Sequence, residues 1–458
     1  ILAIHSDRRI TRLSRFSGSR VLADVSDEQL NQLTANPEPG EDPGRHLDEL
    51  LERFPEQQNW LTGEAYYQGR TPEHLANLFR WLLQQSGIDI KVAEPEPRAT
   101  IRYYRNGEAV ADASDLDLDE GPAVALLDLD SGDQPGKKAL LDAACKALEE
   151  RDLQCFAVLA RWGGASVEAV KKLAESAAPA ELAGVVSLQD FTVGGGDGRR
   201  QATEAFRELN VPVLKGIRLA ERTEAEWRLS TDGIARDDVH YKLAMPELQG
   251  ISQPLVLAVA EPPKIDDATG VRLTITRPVP ERVNSLAERM KRWHRLQQKD
   301  NSDKRLALIY YNHPPGRNNV GADGLDVPAS LHHMLTNLKK AGYETGPLPE
   351  DAEALLDKIQ DKGVYLAEHR TALKKLEGRV PSLSKEDYQQ YFKTLPDTVR
   401  AELEDGPVGY LHARLQQALD AKQQALGERA LERGAADLRH MLEQVQHDGR
   451  DCALDRLD

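Results

Sequence analysis

Pro122 to Ile217 reads PAVALLDLDSGDQPGKKALLDAACKALEERDLQCFAVLARWGGASVEAVKKLAESAAPAELAGVVSLQDFTVGGGDGRRQATEAFRELNVPVLKGI. Two kinds of segment alternate in it. Ala123 to Leu129, Cys155 to Ala160, Gly184 to Leu188 and Val211 to Ile217 are short apolar runs without a helical period, which predicts buried strands. Lys138 to Glu150, Val167 to Ser176 and Gln201 to Leu209 repeat apolar residues at three- and four-residue spacing, which predicts helices. Strands that alternate with helices are joined by right-handed crossovers and lie parallel, so the fold class is α/β, built of parallel-sheet βαβ modules.

The loops that follow these strands carry the chemistry. Asp128 and Asp130 with Gly132, Arg161 and Trp162 with Gly163 and Gly164, and Val193 to Asp197 all stand at strand carboxyl ends, so they are expected to line one crevice. Gly194, Gly195 and Gly196, followed by Asp197, let a backbone pass close to a ligand and present N–H groups. The alternative is a plain surface turn. The stretch does not match GxGxxG and the chain holds no GxxxxGK[ST], so neither a dinucleotide nor ATP is the evident ligand.

Further on, Arg305 to Pro349 repeats the plan. Leu306 to Tyr311 is apolar or aromatic and predicts another buried strand. Pro314, Pro315, Gly316, Gly321 and Gly324 then shape a long loop whose donors, Asn312, Arg317, Asn318 and Asn319, suit carboxylates or other anionic groups; the bland alternative is a connection that only turns. Asp326 is placed to cap a helix with Pro328 in its first turn and Val327, Leu331, Leu335 and Leu338 on one face, closed by Gly342. Pro280 to Gln298 is a long amphipathic helix that leads into this module. His313, His332 and His333 fall within 21 residues and are weak metal-ligand candidates, because the adjacent pair points about 100° apart on a helix and no carboxylate stands at a ligand spacing.

The remainder sets the frame. At 458 residues, the chain exceeds one hydrophobic core. We read residues 1–120 as an N-terminal α/β region with helices, 121–300 as a Rossmann-like βαβ domain, 301–400 as a second βα module and 401–458 as a helical segment. Within the first region, Ile1 to Ile4 reads as a strand, Asp27 to Thr34, His46 to Phe54 and Pro72 to Ser86 as helices, and the acidic run Asp112 to Glu120 as a solvated linker. A net charge of −16 argues against nonspecific nucleic-acid binding. No apolar run approaches the roughly 20 residues of a membrane span. Cys145, Cys155 and Cys452 suggest neither a disulfide framework nor a CxxC site, which points to a reducing, cytoplasmic setting. The chain opens on ILAIHS without Met or signal sequence, so the native N-terminus is expected to lie upstream.

Three ordered blocks resemble one family. ALIYYNHPPGRNNVGADGLDVPASLHHMLTNLKKAGYETGPLP is similar to the signature segment of the large subunits of tetrapyrrole metal chelatases, the CobN subunit of cobaltochelatase and the H subunit of magnesium chelatase. GVVSLQDFTVGGGD with LNVPVLKGI and LAMPELQG resembles a second block, and TPEHLANLFRWLL with EPEPRATIRYYRNG a third, in the same order. The likeness spans roughly Thr71 to Pro396. It implies a tetrapyrrole-binding subunit that inserts a divalent metal, Co2+ or Mg2+, into a corrin or porphyrin. ATP would be handled by separate AAA+ ATPase and integrin-I-domain subunits. A homologue that removes metal from haem and a non-catalytic tetrapyrrole-binding protein are the alternatives. The family's GKHGTLEWLPGK-like segment is absent here, so the chain is expected to be an N-terminal piece or to lack an internal part; the tail DCALDRLD resembles a late helical segment.

Overall fold

The computed structural model describes residues 2–4, 11–12, 14, 25–37, 41–110, 112–131, 136–230, 233–310, 320, 324–362, 383–397, 399–406, 409, 412, 416 and 439. These fall into two compact units, one up to Trp293 and one from His294.

The first unit is built on an eight-stranded sheet. Its strands are β1 (Ile101–Arg105), β2 (Glu108–Val110), β3 (Pro122–Leu129), β4 (Gln154–Ala160), β5 (Glu181–Ser187), β6 (Val213–Thr223), β7 (Ser252–Ala260) and β10 (Thr276–Pro278), in the order β10-β7-β6-β5-β3-β4-β1-β2. A separate two-stranded ribbon pairs β8 (Lys264–Ile265) with β9 (Arg272–Leu273). The five strands from β7 to β4 run parallel, as their alternation with helices predicts. β1 and β10 join antiparallel at the flanks. β1 and β2 come from the first of the four sequence regions, so the sheet draws on two of them.

Helices cover both faces because the strands are apolar on both. Leu126 and Val124 of β3 face α5 (Lys137–Glu149) and α9 (Pro280–Gln298), packing with Leu140, Leu141, Leu148, Leu286 and Met290. Leu127 and Ala125 face α6 (Gly164–Lys171) and α7 (Gly198–Leu209), packing with Val167, Val170, Ala202 and Phe206. Four helices precede the sheet: α1 (Asp27–Leu33), α2 (Pro43–Arg53), α3 (Gln58–Gly69) and α4 (Pro72–Gln85). Leu30, Leu33, Phe54, Trp60 and Leu61 give them a small core of their own. A short helix, α8 (Glu224–Leu229), follows β6 under a capping box between Thr223 and Glu226.

In the second unit, α10 (Val327–Lys340) begins where the sequence places it. Asp326 Oδ1 accepts from Ala329 N at 2.9 Å, and Gly342 follows the helix at φ +87°. Val327, Leu331 and Leu335 pack on Leu355 and Ile359 of α11 (Ala352–Lys362). A last helix, α12, spans Lys385–Lys393.

Four expectations are corrected. Residues 306–310 form no strand, and Ile309 is 95% exposed; a strand needs a hydrogen-bonding neighbour, and no strand among the described residues pairs with them. Residues 2–4 are likewise not a strand; Ala3 instead exchanges hydrogen bonds with the Ser14 hydroxyl. The acidic run is no solvated linker, because Leu116 and Leu118 insert into the core between its carboxylates. Cys145 and Cys155 form a disulfide with their Cα atoms 5.0 Å apart, where α5 crosses β4, and the reading of a reducing compartment loses its support. Of the helical segment 401–458, residues 401–406 are helical and most of the rest lies outside the described residues.

Candidate functional site at the carboxyl edge of the sheet

The order β7-β6-β5-β3-β4 places β3 and β5 side by side while the crossovers that leave them go to opposite faces, α5 to one and α7 to the other. The two chains diverge there, and a crevice opens outside the carboxyl ends of the two strands.

Charged side chains converge on that edge. Asp128, near the end of β3, is only 2% exposed and accepts from both terminal nitrogens of Arg218 on β6, Nη1 at 3.2 Å. Lys137, at the start of α5, brings Nζ to 3.7 Å of the same carboxylate. Burial alone would push this carboxyl up, but Arg218, Lys137 and the Leu129 N–H outweigh it and hold Asp128 below the ordinary carboxylate range. Lys215 on β6, 1% exposed, donates to the Gln189 carbonyl at 2.6 Å and to Asp190 Oδ1 at 3.1 Å; burial lowers its pKa against the pull of Asp190. Asp130 takes Arg102 bidentately, at 3.0 and 3.1 Å, with Arg98 at 3.6 Å. Five cations thus meet three carboxylates. Within this cluster Ser187 Oγ, Gln189 Oε1 and Arg218 Nε are buried with no hydrogen-bond partner among the described residues, which leaves polar capacity for a further group.

Beside the cluster lies a cleft of about 520 Å3 between the starts of α6 and α7, lined by Gly163, Gly164, Lys171, Gly195, Gly198 and Gln201. Its glycine loop is fixed in place. Gln249 clamps it from below, accepting from Val193 N at 2.7 Å and donating to the Val193 and Arg199 carbonyls at 3.1 Å. Gly194 has φ +76°, and a Cβ there would lie 2.6 Å from Val167 Cγ2 and 2.9 Å from the Gly198 carbonyl, so only glycine fits. A flexible turn is therefore not what this loop is.

Of the residues singled out in the sequence, Asp128, Asp130, Arg161, Trp162, Gly163, Gly164 and Gly194 to Asp197 do share the carboxyl edge. Asp197 is exposed and makes no side-chain cap at α7. Gly132, Asn312, His313, Arg317, Asn318 and Asn319 lie outside the described residues. His332 Nε2 is 3.0 Å from the Pro349 carbonyl and His333 is exposed. No group of three metal-ligating side chains occurs among the described residues. Lys137, Lys215, Arg218, Gln189 and Gln249 went unread in the sequence; the one available signal was a lysine set inside the apolar run VPVLKGI.

The profile of a family described as CobN/Magnesium Chelatase matches residues 64–414. The chloroplastic magnesium-chelatase protein ChlH of Oryza sativa subsp. indica is 35% identical over 179 residues, 38% of this chain and 12% of that protein. The magnesium-chelatase large subunit of Chlorobaculum parvum is 25% identical over 322 residues, 66% of this chain and 24% of its own length. The aerobic cobaltochelatase subunit CobN of a Sinorhizobium species is 23% identical over 273 residues, 59% and 20%. Among solved structures, the catalytic subunit of cobaltochelatase from Mycobacterium tuberculosis superposes with a TM-score of 0.53 over 84% of this chain and 33% of that one; at 20% identity it is a likeness of fold. The chain spans between 12% and 33% of the length of these proteins. No helix among the described residues is long and apolar enough to cross a membrane.

Proposed function

Because the chain belongs to the CobN/magnesium chelatase family, we propose that it is a tetrapyrrole-engaging part of the large subunit of an ATP-dependent metal chelatase. The metal, Co2+ or Mg2+, is substrate in this reading. ATP hydrolysis belongs to separate AAA+ and integrin-I-domain subunits, since the sequence carries no GxxxxGK[ST] motif.

The observation that supports the reading is the surplus of cations at the carboxyl edge of a chain whose net charge is −16. Tetrapyrroles that accept metals carry carboxylate side chains around a flat ring. A guanidinium with one nitrogen unpaired, Arg218, beside the buried ammonium of Lys137, can take such a carboxylate while Asp128 holds the pair in place. The glycine loop Gly194, Gly195, Gly196 and Asp197 forms the adjoining wall and offers backbone donors. Asn312, Arg317, Asn318 and Asn319 are assigned the same role by their residue types.

Arg218→Ala tests this, with Arg317→Ala in parallel. Titration with a carboxylated porphyrin and with its methyl ester, followed by fluorescence, reads the contact. A charge-assisted bond is worth ~1.5–3 kcal/mol, or roughly ten- to a hundredfold in affinity. We expect that loss for the acid and little change for the ester. Equal dissociation constants for the folded variant and the wild type with the acid would refute the assignment of Arg218.

A further inference from the structure

Three aromatic rings form an arc on the same edge, and each is held in an unusual way. Trp162, two residues past β4, is 51% exposed, yet its indole N–H donates to the Thr192 carbonyl at 3.1 Å. Gly195 lies against its six-membered ring so closely that a Cβ would come to 2.7 Å of Cη2. An exposed tryptophan is ordinarily free to turn; this one is pinned along one edge and on one side. Phe191 adopts φ +67°, in the left-handed region that disfavours a bulky side chain, and its N–H donates to the Tyr241 carbonyl at 2.8 Å. Tyr241, 52% exposed, sits in the π-helical turn His240–Ala244, a form that recurs at functional sites. The Trp162 and Phe191 centroids are 6.4 Å apart, and those of Phe191 and Tyr241 5.6 Å. Backbone cost at two places and a locked exposed indole have no return in core packing.

We propose that Trp162, Phe191 and Tyr241 are a stacking platform for the conjugated face of the macrocycle, an inference that rests on the tetrapyrrole reading above. Rigid aromatic rings offer contact area at little cost in conformational entropy and prefer offset or tilted partners. The charge around them is complementary to the ligand: Arg199 and Arg200, both exposed, open α7 directly after the glycine loop that covers Trp162, and the cationic cluster of Arg218 and Lys137 occupies the same sheet edge. A flat, conjugated, anionic molecule satisfies both features at once. An apolar peptide satisfies only the first.

The experiment uses the full chain and two probes, a carboxylated porphyrin and the corresponding porphyrinogen under anaerobic conditions, which keeps the carboxylates but loses planarity and conjugation. The wild type is expected to favour the porphyrin, Trp162→Ala to weaken it roughly tenfold while leaving the porphyrinogen unchanged, and Trp162→Phe to restore most of the preference. Tyr241→Ala, whose ring is more than half exposed, gives the same answer should Trp162→Ala fold poorly. Porphyrin binding that is intact in both folded alanine variants overturns the platform while the tetrapyrrole reading stands. A wild type that binds neither probe overturns both. Variants that bind porphyrin normally but lose self-association in sedimentation would assign the arc to a second copy of the chain instead.

Discussion

Asp128 is where the balance of forces at single residues is sharpest. Its carboxylate is buried with two cations against it, and removing one partner of such a group leaves the others uncompensated in a poorly solvated place. Asp128→Asn is therefore expected to cost about 3–5 kcal/mol in urea unfolding at neutral pH. The pH dependence has a definite sign. A carboxyl held below its unfolded value contributes stability above the unfolded pKa of about 4, and loses it as pH falls further through the folded value. The wild type should lose that stability in acid, and the variant should show a correspondingly smaller loss. Glu64 on α3 behaves oppositely. Burial raises its pKa, against the Gln68 hydrogen bond at 2.9 Å and the pull of Arg161 and His46. The folded state thus binds its proton more tightly, and stability from this group falls as pH rises above about 4. Glu64→Gln should match the wild type near pH 4 and exceed it increasingly toward pH 7. A stability difference that does not move with pH would show that Glu64 does not carry a raised pKa.

Among the elements, the loop between β5 and α7 is the one whose sequence and shape are most tightly tied. Positive φ at Gly194, the contact with Val167 and the Gln249 clamp act on the same few residues. Gly194→Ala adds both a strained backbone and a clash, so a loss of about 1–3 kcal/mol is expected by thermal unfolding. Gln249→Ala should leave the loop formed but looser, read as faster amide exchange at Val193. Helix α10 shows how legible an element can be when its signals are local: cap, first-turn proline, apolar stripe and terminal glycine are consecutive in sequence, and each is found where it is expected. Residues 306–310 show the reverse. Their composition suits a strand, but a ladder is a relation between two segments.

For the molecule as a whole, the first unit is a doubly wound sheet with its charged groups gathered at the carboxyl edge, and the second is described apart from it. Nothing in the full sequence forms a phosphate-cradling P-loop. The purified chain is expected to hydrolyse no ATP by itself; phosphate release above a no-protein control, proportional to chain concentration and retained through further purification, would contradict that division of labour.

The sequence by itself determined the α/β class, the order of strands and helices from Pro122 to Ile217, the start of α10 and the gathering of the loops after β3, β4 and β5 at one edge. Each of these is written in neighbouring residues, through a period of two or 3.6 or through a turn residue with a special backbone. Tertiary structure alone decided the rest. Arg218 reaches Asp128 across 90 positions because β6 lies one strand beyond β5, and a shift of one residue in register would turn it to the other face. Cys145 meets Cys155 because α5 folds back over β4. Burial, ion pairing and the locked ring of Trp162 depend on distances between segments, and a linear pattern of residue types does not contain those distances until the chain has packed.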